Sequence, residues 1–181
     1  IILMIVVISG FLWLSLRRVS DVAIVLVALA LALLWMQGLI GITDFLSNLF
    51  GLQLISRSQF SNLLPVLIIA LGIDDSLHAL HRYKEERKNG KSIKASAHES
   101  ISKVGRAILL TSITTIVAFG SNLISDIPAL RSFGIEAGLG VLCAFILTGL
   151  WVPLIRLSVD ELLDRKGKLK SALDEKSFYS P

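Results

Sequence analysis

The stretch Leu63-Leu64-Pro65-Val66-Leu67-Ile68-Ile69-Ala70-Leu71-Gly72-Ile73-Asp74-Asp75-Ser76-Leu77-His78-Ala79-Leu80-His81-Arg82-Tyr83 decides how this chain is read. Its first half is apolar apart from Pro65, which falls in the first turn of a helix, where proline is tolerated. A helix of about 20 such residues crosses a hydrocarbon core about 30 Å thick. Asp74 lies eleven residues past Leu63, so about 16 Å into the membrane at a rise of about 1.5 Å per residue. That is close to the midplane. A charged aspartate there costs about 2.5–3.5 kcal/mol on insertion scales. Two in succession must therefore face protein or water, and such residues usually handle ions or protons.

The rest of the chain agrees with a membrane setting. Of 181 residues, 54% are hydrophobic and 18% charged, and the 13 glycines raise the apolar share to about 61%, against roughly 45–50% apolar in soluble domains. A soluble enzyme or a disordered chain does not fit that balance. The single cysteine, Cys143, excludes an internal disulfide. The first residue is Ile1, inside an apolar run, so the chain reads as a piece of a longer protein.

Five helical spans are predicted, over residues 1–16, 22–42, 63–83, 104–124 and 132–155. The fold class is an all-α integral membrane bundle, with a transmembrane domain over 1–157 and a charged tail or linker over 158–181. All 18 Lys and Arg residues except Arg57 and Arg131 fall after spans one and five, or between spans three and four and at their facing ends. Cytoplasmic loops carry the excess of Lys and Arg. The expected protein is therefore multi-pass in the plasma or inner membrane, with its C-terminus in the cytoplasm. The same pattern accounts for the net charge of +4 without a nucleic-acid partner, and none is expected. Residues 43–61 read as an amphipathic stretch at the outer interface. The Lys88-Asn89-Gly90-Lys91 run marks a break before a short helix leading into span four.

The acid pair suits proton handling. Burial disfavours the charged form, and adjacent carboxylates disfavour double ionisation. Asp74 and Asp75 should therefore take up and release a proton as one coupled system. His78 lies four residues and His81 seven residues after Asp74, on the same helical face, and they point from the midplane toward the cytoplasm. Other uses of the same residues stay open. A polar pair can hold helices together by hydrogen bonds. Asp and His at helical spacing can ligate a metal, although no Cys or further His supports one here, and no metal or cofactor is expected. Gly72-Ile73-Asp74 loosely resembles the Gly-x-Gly-Asp of intramembrane aspartyl proteases, but a Tyr-Asp pair on another span is lacking and no enzyme activity is expected. In span four Thr111 and Thr115 form one stripe and could support a relay or simply pack helices. Gly134 and Gly138 form a Gly-x-x-x-Gly pair suited to close helix contact. Glu136 is expected to reach water from near the outer boundary by snorkelling.

At these residues the chain resembles the resistance-nodulation-division superfamily, in its Patched-like, sterol-sensing-domain and mycobacterial-membrane-protein-large branch. The likeness rests on Leu64-Pro65, Gly72-Ile73-Asp74-Asp75-Ser76-Leu77-His78 and His81-Arg82-Tyr83-Lys84-Glu85-Glu86. It continues through Thr111-Ser112-Ile113-Thr114-Thr115 to Phe119-Gly120, and through Leu130-Arg131-Ser132-Phe133-Gly134 to Trp151-Val152-Pro153-Leu154. It covers about residues 1–155. The resemblance implies helices two to six of one half of a two-half transporter, one that exports a lipid or other hydrophobic substrate at the expense of protons. Asp74 and Asp75 would form the relay, with Ser76, His78, Thr111 and Thr115 as support and Gly72, Gly134 and Gly138 packing helices. The implied partners are membrane lipid, the hydrophobic substrate, protons, and the missing second half or an oligomeric partner. The alternative is a sterol-sensing-type module that binds lipid and regulates without transport.

Overall fold

The computed structural model describes residues 2–51 and 59–165, with side chains from Val7 onward. Its helices are α1 (Ile2–Leu16), α2 (Val19–Leu49), α3 (Leu64–Lys88), α4 (Ile93–Glu99), α5 (Gly105–Gly120), α6 (Pro128–Ala144) and α7 (Val152–Arg165). A π-helical segment, Ser100–Val104, joins α4 to α5, and another, Phe145–Trp151, joins α6 to α7. The joined stretches are continuous, so four long helices among the described residues are apolar enough to cross a membrane: Val19–Leu49, Phe60–Lys88, Ile93–Ile124 and Pro128–Arg165. The apolar part of α1, Val7–Leu16, is shorter. The chain is a multi-pass membrane protein.

Each long helix overruns its predicted span, because backbone hydrogen bonding does not stop where the apolar side chains do. α2 has 31 residues and is about 46 Å long. It continues to Leu49, so the first part of the predicted interfacial stretch is the end of a spanning helix. Residues 52–58 of that stretch, and 166–181 of the tail, lie outside the described residues. The predicted break after Lys88 is present: α3 ends there and Gly90 takes φ 82°, a left-handed conformation that glycine adopts readily. After residue 157 the chain stays helical: α7 runs on to Arg165 and buries Asp160.

α3 is the central helix and touches α1, α2, α4, α6, α7 and both π segments. Its packed face carries Leu64, Ile68, Gly72, Ser76, Ala79, Leu80 and Tyr83. One core cluster joins α2, α3 and α6 through Ala32, Met36, Leu64, Ile68, Ala137 and Val141. A second, nearer the end rich in Lys and Arg (the basic end), joins α1, α2, α3 and α7 through Leu12, Leu16, Val25, Leu80 and Val152. Small residues set the helix spacing. A Cβ on Gly140 would lie 2.7 Å from Ile68 Cδ1, and one on Gly134 would lie 2.6 Å from the Phe119 carbonyl oxygen. Large apolar side chains such as Leu34, Val66, Leu110 and Val117 stay exposed on the outside of the bundle, as helices facing lipid require.

Candidate functional site

The middle of α3 separates two chemistries by face. Gly72 packs inward so closely that a Cβ would meet Leu29 Cδ2 at 2.6 Å and Thr148 Cγ2 at 3.0 Å. One turn on, Ser76 is fully buried, and its hydroxyl has no hydrogen-bond partner among the described residues. Asp74 and His78 point the other way. Their side chains are 71% and 68% exposed, and His78 Nε2 lies 3.3 Å from Asp74 Oδ1. Asp75, about 100° round the helix, is only partly exposed. His81 continues the open face toward the basic end, with Nε2 3.4 Å from Ser15 Oγ of α1.

The structure therefore brings Asp74, His78 and His81 onto one open side of α3, with Asp75 partly exposed at its edge. It does not bring Thr111 and Thr115 to them. Thr111 donates to the Ile108 carbonyl at 2.9 Å and Thr115 to the Thr111 carbonyl at 2.7 Å. These hydroxyls bond their own helix, α5, which packs mainly on α6. Gly134 sits at a close approach, whereas a Cβ on Gly138 would make ordinary contact with Ile116 at 3.8 Å. Glu136 departs from its reading. It is 1% exposed because Ser132, Glu136 and Gly140, four residues apart, lie on the packed stripe of α6. Its side chain does not reach water.

Sequence reasoning missed a second charged site. At the basic end of the bundle Asp21, with 0% exposure, receives Lys84 Nζ at 2.5 Å and Arg156 Nη1 at 2.7 Å. Arg156 Nη2 reaches Asp160 Oδ1 at 2.6 Å, and Tyr83 Oη donates to Asp160 Oδ2 at 2.7 Å. Lys84 also donates to the Leu16 carbonyl at 2.8 Å, one of the carbonyls left open at the end of α1. Arg156 donates to Ser20 Oγ at 3.1 Å. Two acids and two bases thus meet, Asp21, Arg156 and Asp160 buried and Lys84 half-buried, and they balance in charge. The local signal was Arg156 and Asp160 at i, i+4. The long-range partners Asp21 and Lys84 leave no mark in the sequence.

A more exposed network braces the turn after α3. Arg82 pairs with Glu85 at 2.8 Å and with Glu86, and Lys91 reaches Glu86 at 2.7 Å. The Glu86 carboxylate beside Lys91 raises that ammonium's pKa above the usual lysine value. Lys103 reaches Glu99 at 2.5 Å. No cluster of three or more His, Cys, Asp or Glu among the described residues could hold a metal ion.

Comparison with known proteins fits this geometry. The family described as Patched SSD matches residues 1–154. A membrane protein of Methanocaldococcus jannaschii is 27% identical over 146 residues, which is 80% of this chain and 35% of that protein. Human protein patched homolog 2 is 32% identical over 138 residues, 76% of this chain and 10% of that protein. NPC intracellular cholesterol transporter 1 homolog 1b of Drosophila melanogaster is 31% identical over 85 residues, 46% of this chain and 7% of that protein. The chain thus spans about a third or less of the length of these relatives. No solved structure matches it. With 154 of its 181 residues inside the match, acid pair included, the chain belongs to the Patched family, as a partial domain of the sterol-sensing-domain type within the resistance-nodulation-division superfamily.

Proposed function

We propose that this chain is the transmembrane part of a proton-coupled exporter of lipid or another hydrophobic compound, with Asp74 and Asp75 as its proton relay. The observation that carries this reading is the open face of α3. Asp74 and His78 stand exposed halfway along an apolar helix. Lipid does not accept a carboxylate at that depth, which costs about 2.5–3.5 kcal/mol. A second transporter half, an oligomeric partner or a water channel must therefore cover this face. In that setting the pair shares protons as one coupled system. His78 beside Asp74 and His81 near Ser15 lead from the midplane toward the basic end, taken here as cytoplasmic in the plasma or inner membrane. Thr111 and Thr115 rank below the carboxylates, because these hydroxyls of α5 are bonded to their own helix, whereas Ser76 keeps a supporting role beside Asp75 with its buried hydroxyl unbonded among the described residues. One charge crossing about 100 mV supplies about 2.3 kcal/mol, so steep export draws on several protons per cycle.

A lipid substrate is supported by the Drosophila relative, whose name is that of a cholesterol transporter. The test is export of a fluorescent cholesterol analogue from vesicles under an imposed proton gradient. Asp74→Asn and Asp75→Asn, each inserted normally, should lose gradient-driven export. Full activity in the double variant sinks the relay. The family description also favours a second reading, a sterol-sensing module that binds lipid and regulates a partner without transport. That module would bind its partner in a lipid-dependent way that ignores the proton gradient.

A further inference from the structure

We propose that Asp21, Lys84, Arg156 and Asp160, with Tyr83, form a releasable latch that seals the basic end of the bundle and opens when the acid pair on α3 loses its charge. This rests on the transport reading for its purpose, but its geometry stands apart from it. The latch joins the end of α1, the start of α2, α3 and α7. Lys84 of α3 holds Asp21 and the Leu16 carbonyl, and Arg156 of α7 holds Asp21, Ser20 and Asp160. Asp21 is the hub, since both cations meet on its carboxylate. Directly beneath lies the apolar cluster of Leu16, Val25, Leu80 and Val152, all at most 2% exposed. The closed quartet therefore stands between that cluster and water.

Buried ion pairs are poor static glue. Burying the charges costs nearly what their attraction returns, and apolar replacements of the same volume often hold better. Their best-attested use is to fix one of two arrangements. The closed state here carries a further cost, because Arg156 Nε is buried with no hydrogen-bond partner among the described residues. Once water enters, all four charges find solvent, so opening has a ready alternative state.

α3 links the latch to the acid pair. Asp74 and Lys84 lie on one unbroken helix, ten residues and about 15 Å apart. Direct Coulomb attraction over that distance is a small multiple of thermal energy at most. The coupling therefore has to be mechanical, carried by a shift of α3 as its open face changes charge. The groups facing that charge are His78 beside Asp74 and, further along, His81 with Ser15 of α1. The helix opposite allows a shift. Between the Gly140 contact with Ile68 and the latch residue Arg156, it passes through the π-helical segment Phe145–Trp151, and such segments relax the regular hydrogen-bond ladder.

The test needs no substrate. In the full-length gene product, in membrane vesicles, Cys143→Ala removes the native thiol and Val25→Cys places one behind the latch. Its alkylation by N-ethylmaleimide is followed at one fixed pH. Adding Asp74→Asn with Asp75→Asn should raise the rate about tenfold, as the open population rises. Asp21→Asn, which removes the hub, should raise it at least as much. A rate that the acid pair leaves unchanged within about twofold overturns the latch, whether or not Asp21→Asn raises it. Leu80→Cys repeats the measurement on the other wall, should Val25→Cys fail to fold. The two proposals can fail separately. Export that survives loss of the acid pair defeats the relay and leaves a responsive latch standing. An unresponsive thiol defeats the latch and leaves the relay untouched.

Discussion

Two sets of charges sit on α3, and their surroundings are opposite. At mid-helix Asp74 and His78 are exposed and meet chiefly each other. Ten residues on, Lys84 is clasped by a fully buried carboxylate that Arg156 also holds. The first set lies in the part of the membrane where charge is least tolerated, and the bundle leaves it uncovered. The second lies at the basic end, where water is near, and the bundle covers it almost completely, leaving only part of Lys84 open. Charges at the end find their partners on the bundle's own helices. The charges at the middle face away from the bundle.

The sharpest way to break this comparison is to neutralise one acid from each set. Asp21→Asn leaves Lys84 and Arg156 facing each other without their carboxylate. Removing one partner of a buried ion pair costs about 3–5 kcal/mol, and thermal unfolding in detergent should show a loss of that size. Asp74→Asn removes an exposed charge and should change stability by less than about 1 kcal/mol, while abolishing proton-driven export. Equal stability losses in the two variants would erase the distinction. The next effect belongs to Tyr83→Phe. It removes the only donor to Asp160 Oδ2 among the described residues, a hydrogen bond to a buried charge, for a loss of about 1.5–3 kcal/mol in the same assay. Normal stability in Tyr83→Phe would mean that the α3–α7 contact is looser than its 2.7 Å separation indicates.

The packed side of α3 supplies a smaller effect. Gly72→Ala drives a methyl against Leu29 Cδ2 and Thr148 Cγ2. Both are side-chain ends that can turn aside, so the loss should stay near about 1 kcal/mol, at the low end for overpacking. A loss of several times that size would show that the α2–α3 spacing cannot relax at the level of the acid pair. The latch, which needs α3 to shift, would then lose one of its supports.

How far the sequence could be read follows from what each feature depends on. The helices and the acid pair were legible because apolar run length and a charge inside it are local facts. The break at Lys88 was legible from Asn89 and Gly90. Which face of α3 would be open was not, because Gly72 turns inward against Leu29 and Thr148, far away in the chain. Glu136 was misjudged for the same reason. Its depth could be counted, but the inward stripe that it shares with Ser132 and Gly140 depends on where α6 packs. The buried quartet was hidden most completely. Asp21, Lys84 and Arg156 each read singly as ordinary charges near a membrane boundary, and only folding brings residues 21, 84 and 156 together.

The smallest effect tests where the two sides of α3 meet. Ser76 follows Asp75 directly, yet its hydroxyl is fully buried and has no hydrogen-bond partner among the described residues. A buried polar group in that position weakens the fold, so Ser76→Ala should leave stability unchanged or raise it by up to about 1 kcal/mol. A static packing residue would also leave proton-driven export as it was. A hydroxyl kept there to accept a bond from protonated Asp75, or to find a carbonyl once α3 shifts, would instead make Ser76→Ala a stable protein with slowed export. We expect the stable, slowed variant. Its unsatisfied hydroxyl is a cost of the arrangement seen here, and that cost is intelligible if a second arrangement of α3 relieves it. Destabilisation beyond about 1 kcal/mol would mean that the hydroxyl already has a partner in this state, and the argument from its isolation would go with it.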